Sequence, residues 1–213
     1  MTFLDMVNDV LLRLRQDTVS TLVGADDYTK LVMKAVNDAN SVVEKAWDWT
    51  SLREDFTINT VAGTYKYPLT NYGTRAKIIQ AWNSSGRELT TVFDRFAKIK
   101  RSSFGQGTPR SYYIEGIDSN GDAQVSFFPT PNAVDTISLY LVNRSPRLTT
   151  DSDEIKVPVE PVMLYSHAYL VRERGEDQGT STQEFLGEAQ RALSDAIALD
   201  AANYPVDTIW WTP

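Results

Sequence analysis

Cysteine is absent from all 213 residues. Disulfides, thiolate metal sites and cysteine nucleophiles are thereby excluded, which suits a reducing cytoplasm. Histidine occurs once, at position 167, so a multi-histidine metal site within one chain is impossible, and any imidazole acid–base chemistry falls to that residue. Its neighbours Tyr165, Ala168 and Tyr169 are of packing type, which assigns His167 a core or interface role. Also missing is any apolar run near the roughly 20 residues that span a bilayer. The opening "MTFLDMVNDVLLRLRQD" has neither a basic leader nor a small-residue cleavage site, so the expectation is a mature, soluble chain with no membrane partner.

What remains is ordinary globular material: 42% hydrophobic and 23% charged residues, enough to bury one substantial core or a core with a satellite domain. The net charge of −7 is unevenly spread. Between Arg75 and Arg110 eight bases face Glu88 and Asp94, a local +6, whereas from Asp151 onward twelve acids face four bases, a local −8. Oppositely charged stretches of this kind can steer subunits together and set their register; the plainer reading is two solvated faces. A dedicated nucleic-acid binder is usually basic overall, and this chain is not.

Periodicity divides the chain into three parts. Phe3, Val7, Val10, Leu11 and Leu14 form an amphipathic stripe behind a candidate N-cap, Thr2, and predict a helix to about Gln16. A second helix, from about Asp27 to Trp47, carries a wide apolar face from Tyr28 and Leu31 through Val42, Val43 and Ala46. After Leu52 the period falls to two. Phe56, Ile58 and Thr60 alternate before a glycine turn, with Tyr65 and Tyr67 on a second strand; "AKIIQAWNSSGRELTTVF" has a hairpin's shape; "RSYYIEGIDSNGDAQVSFFPTPN" repeats it about Asn120-Gly121; "DTISLYLVN" adds a strand. Between the hairpins "DRFAKIKRSS" reads as a short helix. Helical spacing returns from about Pro161 to Glu173 on Leu164, Ala168 and Val171, with Tyr165 and Tyr169 widening that face on one side. A last helix follows, capped by Ser181 or Thr182, with Phe185, Leu186, Ala189, Leu193, Ile197 and Ala198 on its apolar side. The expected fold class is α+β. A helical bundle is drawn from both chain ends (1–52 and 158–203), with a β-rich, sandwich- or barrel-like insertion (53–157) and an extended C-terminal tail (204–213).

Motifs for chemistry are weak. Asp118, Asn120 and Asp122 match the first three ligand positions of a calcium loop, but Ala123 and Pro129 stand where glycine and glutamate are needed, so a hairpin turn is expected. Asp151, Asp153 and Glu154 could hold a hard cation or form an acidic linker. "GQGTPR" lacks the third glycine and the lysine of a phosphate-binding loop. No catalytic residue, metal site or cofactor is therefore assigned. A carbohydrate-active enzyme or lectin would have to use the aromatic β region, Tyr65, Tyr67, Trp82, Tyr112 and Tyr113, though aromatics on strands commonly serve the core.

The junction "NDANSVVEKAWDWTSLRED" closes the second helix with Trp47 and Trp49. Side chains two apart on a helix do not share a face, so one indole is expected in the bundle and the other toward the β insertion, as a rigid domain joint. The whole N-terminal region, "LDMVNDVLLRLRQDTVSTL" with "YTKLVMKAVNDANSVVEKAWDWTSLRED", resembles that of the head-to-tail adaptor proteins of short-tailed bacteriophages, the group that includes tail tubular protein A. "HAYLVRERGED" and "EFLGEAQRALSDAIALDA" are similar to that group's C-terminal helix pair. The resemblance implies a non-enzymatic virion component assembled in the host cytoplasm: a ring, typically of twelve copies, mounted under the portal protein, receiving the tail nozzle protein and passing DNA without specific binding, with tail fibres as a further candidate partner. Under this reading the aromatic tail residues Tyr204, Ile209, Trp210 and Trp211 are candidates to bind the portal. Arg95, Lys98, Lys100 and Arg101, with Glu173, Glu176 and Asp177, are candidates for the subunit seam. An acidic lumen would let the duplex slide. The alternative is another neck or tail component, a nozzle, fibre-attachment or head-completion protein.

Overall fold

The structure, a computed structural model, describes residues 1–92, 105–175 and 180–203. The short helix expected over "DRFAKIKRSS" and the C-terminal tail lie outside the described residues. The chain divides into two compact units, one of Met1–Leu52 with Ser145–Pro213, the other of Arg53–Arg144.

In the first unit α1 spans Phe3–Arg13, α2 Asp27–Ala46, α3 Val159–Arg174 and α4 Thr180–Ala202. Both N-terminal helices start where side chains satisfy otherwise orphaned amides. Thr2 Oγ1 accepts from the Asp5 N–H at 3.1 Å while Asp5 Oδ2 accepts from the Thr2 N–H at 3.3 Å, and Asp26 Oδ1 accepts from the Thr29 N–H at 2.7 Å. α1 buries Phe3, Met6, Val7, Val10 and Leu11, and α2 buries Val32, Val36, Ala39 and Val43. α3 packs on α1, α2 and α4, and seven of its residues are buried, from Pro161 round to Leu170. A helix covered on several sides loses a one-sided apolar stripe, so Pro161, Val162, Ser166 and Leu170 are buried in addition to Leu164, Tyr165 and Ala168 of the expected face. α3 ends at Gly175, left-handed at φ 65°, a conformation that suits glycine because it has no Cβ. The expected caps Ser181 and Thr182 fall inside α4.

The second unit holds β1 (Arg53–Asn59), β2 (Lys66–Pro68), β3 (Ala76–Asn83), β4 (Thr90–Thr91), β5 (Ser111–Ile117), β6 (Ala123–Phe128) and β7 (Thr136–Asn143). Among the described residues these form two sheets, β1-β7-β3 and β2-β6-β5-β4. Alternating residues fill the core between them, including Ile58, Ala81, Tyr112, Val125, Phe127, Ile137, Leu139 and Leu141. β5 and β6 are the hairpin expected about Asn120-Gly121, with Gly121 at φ 86°. The other expected strands pair differently. β1 and β2 lie in separate sheets, β1 pairing with β7 from Arg53↔Val142 to Asn59↔Thr136. The turn after β3 closes with Leu89 N–H to Ala81 O at 2.8 Å, but β4 then pairs parallel to β5 in the other sheet. A chain that must cover both faces of one core changes sheet at such turns, and alternation alone does not show where.

The segment 145–157, expected in the β insertion, belongs to the helical unit. Leu148, Ile155 and Val157 are buried, and it forms a clasp on the N-terminus: the Phe3 N–H donates to Asp153 O at 2.7 Å and the Ile155 N–H to Met1 O at 3.0 Å.

Candidate assembly surface

The residues with possible chemistry are spent on holding backbone. Asp151 accepts from the Thr21 hydroxyl at 2.7 Å and the Leu22 N–H at 2.8 Å. Asp153 accepts from the N–H groups of Thr149 and Thr150 and from the Thr150 hydroxyl; that hydroxyl, then the amides, hold its carboxyl below the usual carboxylate range. Asp118 Oδ1 accepts from the Asn120 and Asp122 amides, and Asp122 from those of Asn71 and Gly73, so "DSNGD" is a pinned turn. Among the described residues no three carboxylate or histidine side chains gather as a metal site. Tyr112 and Tyr113 are buried, which removes these two from any open stacking platform for sugars; Tyr65, Tyr67 and Trp82 are half-buried, and the Tyr67 hydroxyl bonds Val61 and Thr64 backbone. His167 is half-buried, edge-on to Phe185 with centroids 4.7 Å apart. Burial, then the Arg13 charge, pushes its imidazole below the usual range, with Glu188 opposing.

Both tryptophans of the junction bond inside the helical unit. Trp49, 1% exposed, donates Nε1–H to Val43 O at 2.7 Å, satisfying one of the last carbonyls of α2. Trp47 donates to Asp200 Oδ2 at 3.0 Å, and the Thr50 N–H reaches the same carboxylate at 3.2 Å. Trp47 has already left the helix, at φ −149°, ψ 159°, so the helical spacing from which one indole was expected toward each unit does not apply.

A second device escaped sequence reasoning. Asn37, Asn40 and Glu44 sit three and four apart on α2 and are buried. Asn37 makes a two-way pair with Leu148, Nδ2 to O at 3.1 Å and Oδ1 from N–H at 2.8 Å. Asn40 Nδ2 donates to Glu44 Oε1 at 3.1 Å, and Glu44 Oε2 accepts from the Ser145 N–H at 3.2 Å. Buried backbone needs such partners; Asn37 and Glu44 supply them where the chain rejoins the helices, and Asn40 holds the Glu44 carboxylate. Their spacing in phase with Val36 and Val43 was the available signal. Leu31 and Val42, expected on the buried face, are instead 37% and 40% exposed.

Of the seam candidates, Glu173 is exposed, 3.7 Å from Arg172; Arg95, Lys98, Lys100, Arg101, Glu176 and Asp177 lie outside the described residues, as do Tyr204, Ile209, Trp210 and Trp211. The clearest open surface is on α4. Phe185, Leu186, Leu193 and Ile197 are half-buried, Ala198 is exposed and Leu199 is 73% exposed, so the expected apolar face is incompletely covered. Beside it runs a groove of about 550 Å³ walled by Pro158, Pro161, Leu164, Ala196 and Leu199.

Comparison with known proteins places the class of this two-unit α+β chain as a bacteriophage adaptor. The chain belongs to the SU10 adaptor protein family, whose model matches residues 1–208. No curated protein matches it. Membership implies a virion component that meets other head and tail parts. No helix among the described residues is long and apolar enough to cross a membrane.

Proposed function

We propose that this chain is the head-to-tail adaptor of a short-tailed phage, a ring of about twelve copies between portal and tail nozzle that leaves an axial passage for DNA and works by assembly, without catalysis. The observation that carries the reading is the family match over residues 1–208. The four helices drawn from both chain ends agree with it as a bundle facing one neighbour in the particle, with the β unit available to another. Trp47 and Trp49 serve as the joint by fixing where the chain leaves α2, and the tail with Tyr204, Ile209, Trp210 and Trp211 anchors on the portal. The local −8 of the C-terminal part would line a lumen that repels phosphate.

Light scattering with negative-stain imaging, with and without portal, tests this. Closed rings alone or on portal support it. A stable dimer or trimer unchanged by portal favours a nozzle, fibre-attachment or head-completion protein. A channel with strongly positive surface potential sinks the lumen assignment.

A further inference from the structure

We infer that α4 is a strap whose far end is latched by Asp200 to the exit of α2, so that the last turn of α4 and the Trp47–Thr50 segment are ordered together. Helix α4 runs for 23 residues and packs against α3, yet among the described residues Ala189 is its one fully buried apolar side chain. An element with so little buried apolar surface lies at the low-stability end of a structure and opens locally before the rest. A second hold is found at its far end. There Asp200 Oδ2 accepts both the Trp47 indole N–H at 3.0 Å and the Thr50 N–H at 3.2 Å, across 153 and 150 positions of sequence.

Helix formation alone gives no reason for an aspartate at this position. Asp200 sits in the last turn of α4, which ends at Ala202 and holds no basic residue. The free carbonyls there form the negative end of the helix dipole, so a carboxylate works against the helix, and aspartate is itself a poor helix former. The compensation comes from outside the helix. Two donors lie beyond Ala46, the last residue of α2, and meet one half-buried carboxylate; hydrogen bonds to a charged acceptor are about twice as strong as neutral ones. A coupling of this kind is reciprocal: Trp47 and Thr50 hold the last turn of α4 as much as Asp200 holds them. Asp200 is thus a positioning residue for the segment through which the chain leaves α2. The latch is contained within one copy and is independent of ring formation.

Amide hydrogen exchange on the full chain tests the coupling, because Asp200→Ala gives opposite signs with and without the latch. Alanine is the best helix former and removes the opposing charge, so in an independent α4 the amides from Leu199 to Asn203 would exchange more slowly. A latched α4 gives the reverse: those amides exchange about threefold faster and the Thr50 amide about tenfold faster, as expected for loss of a charge-assisted hydrogen bond partly offset by the gain in helix propensity. Trp47→Phe, which leaves α4 itself untouched, also speeds exchange over Leu199 to Asn203. Asp200→Asn, with an uncharged acceptor, falls between wild type and Asp200→Ala at Thr50. Slower exchange at the end of α4 in Asp200→Ala overturns the latch, as does an end of α4 indifferent to Trp47→Phe. The Val36 amide in α2 and the Leu141 amide in β7 keep wild-type rates in all three variants; acceleration there by the same factor marks a general loss of stability and equally overturns it.

Discussion

Replacing Asn37 by leucine, which keeps the four-atom side chain branched at Cγ but is bulkier, tests whether the polar device on α2 holds the returning chain. The side chain serves both the N–H and the C=O of Leu148, at 2.8 and 3.1 Å, and also donates to Met33 O at 3.0 Å. Leucine removes all three bonds and leaves the Leu148 pair unsatisfied in a buried setting, at about 1–3 kcal/mol for each group. Burying an apolar side chain there returns about 2 kcal/mol. The net loss is about 2 kcal/mol, with about 4 as the upper end, from a total stability on the order of 5–15 kcal/mol. Denaturant unfolding followed by helical circular dichroism measures it, and hydrogen exchange at the Leu148 amide reports the local release. An Asn37→Leu protein as stable as wild type, with the Leu148 amide still protected, would refute the assignment.

Trp49→Phe keeps most of the buried ring but strips the donor from Val43 O; a loss of about 1–2 kcal/mol in urea unfolding is expected, against about 3–5 for Trp49→Ala. The depressed pKa of His167 makes the unfolded chain the better proton binder. Stability is therefore full above its ordinary value near 6.5 and falls as pH drops through that value toward the folded one; thermal melts across this window should slope less in His167→Gln. Asp153 works at the acid end: its lowered pKa gives stability present above the ordinary 3.8 and lost as pH falls below it, a component Asp153→Asn should remove. Gly175→Ala meets no atom within 4 Å but holds φ at 65°, so a strain cost of about 1 kcal/mol should appear as a lower melting temperature.

The elements were legible where one physical signal dominated. α2 has a strong apolar stripe, and its sequence-read span differs from Asp27–Ala46 by a residue. The Asn120-Gly121 hairpin followed from turn chemistry, with Gly121 supplying the positive φ the turn needs. Three things were hidden for identifiable reasons. Asn37, Asn40 and Glu44 look like solvent residues until a backbone segment more than a hundred positions away is laid against them. β1 and β2 look like partners because they are adjacent, but their register is decided by β7 and β6. The 145–157 segment lacks any period, since it is held by single bonds to Met1, Phe3, Thr21 and Leu22. The open face of α4 was legible as an apolar stripe, while the extent of its exposure was not.

The pairing of β1 with β7 bears on how the helical unit comes together at all. α1 and α2 are separated from α3 and α4 by the Arg53–Arg144 unit, and an unstructured loop of that length opposes closure by about 4 kcal/mol on the (3/2)RT ln n scale. Once Arg53 lies opposite Val142, the ends of that loop are already neighbours. The two halves of the helical unit then meet as though joined by a short turn. The β unit acts as a clamp on chain entropy, and a change that loosens its first and last strands should slow the docking of the helices on one another.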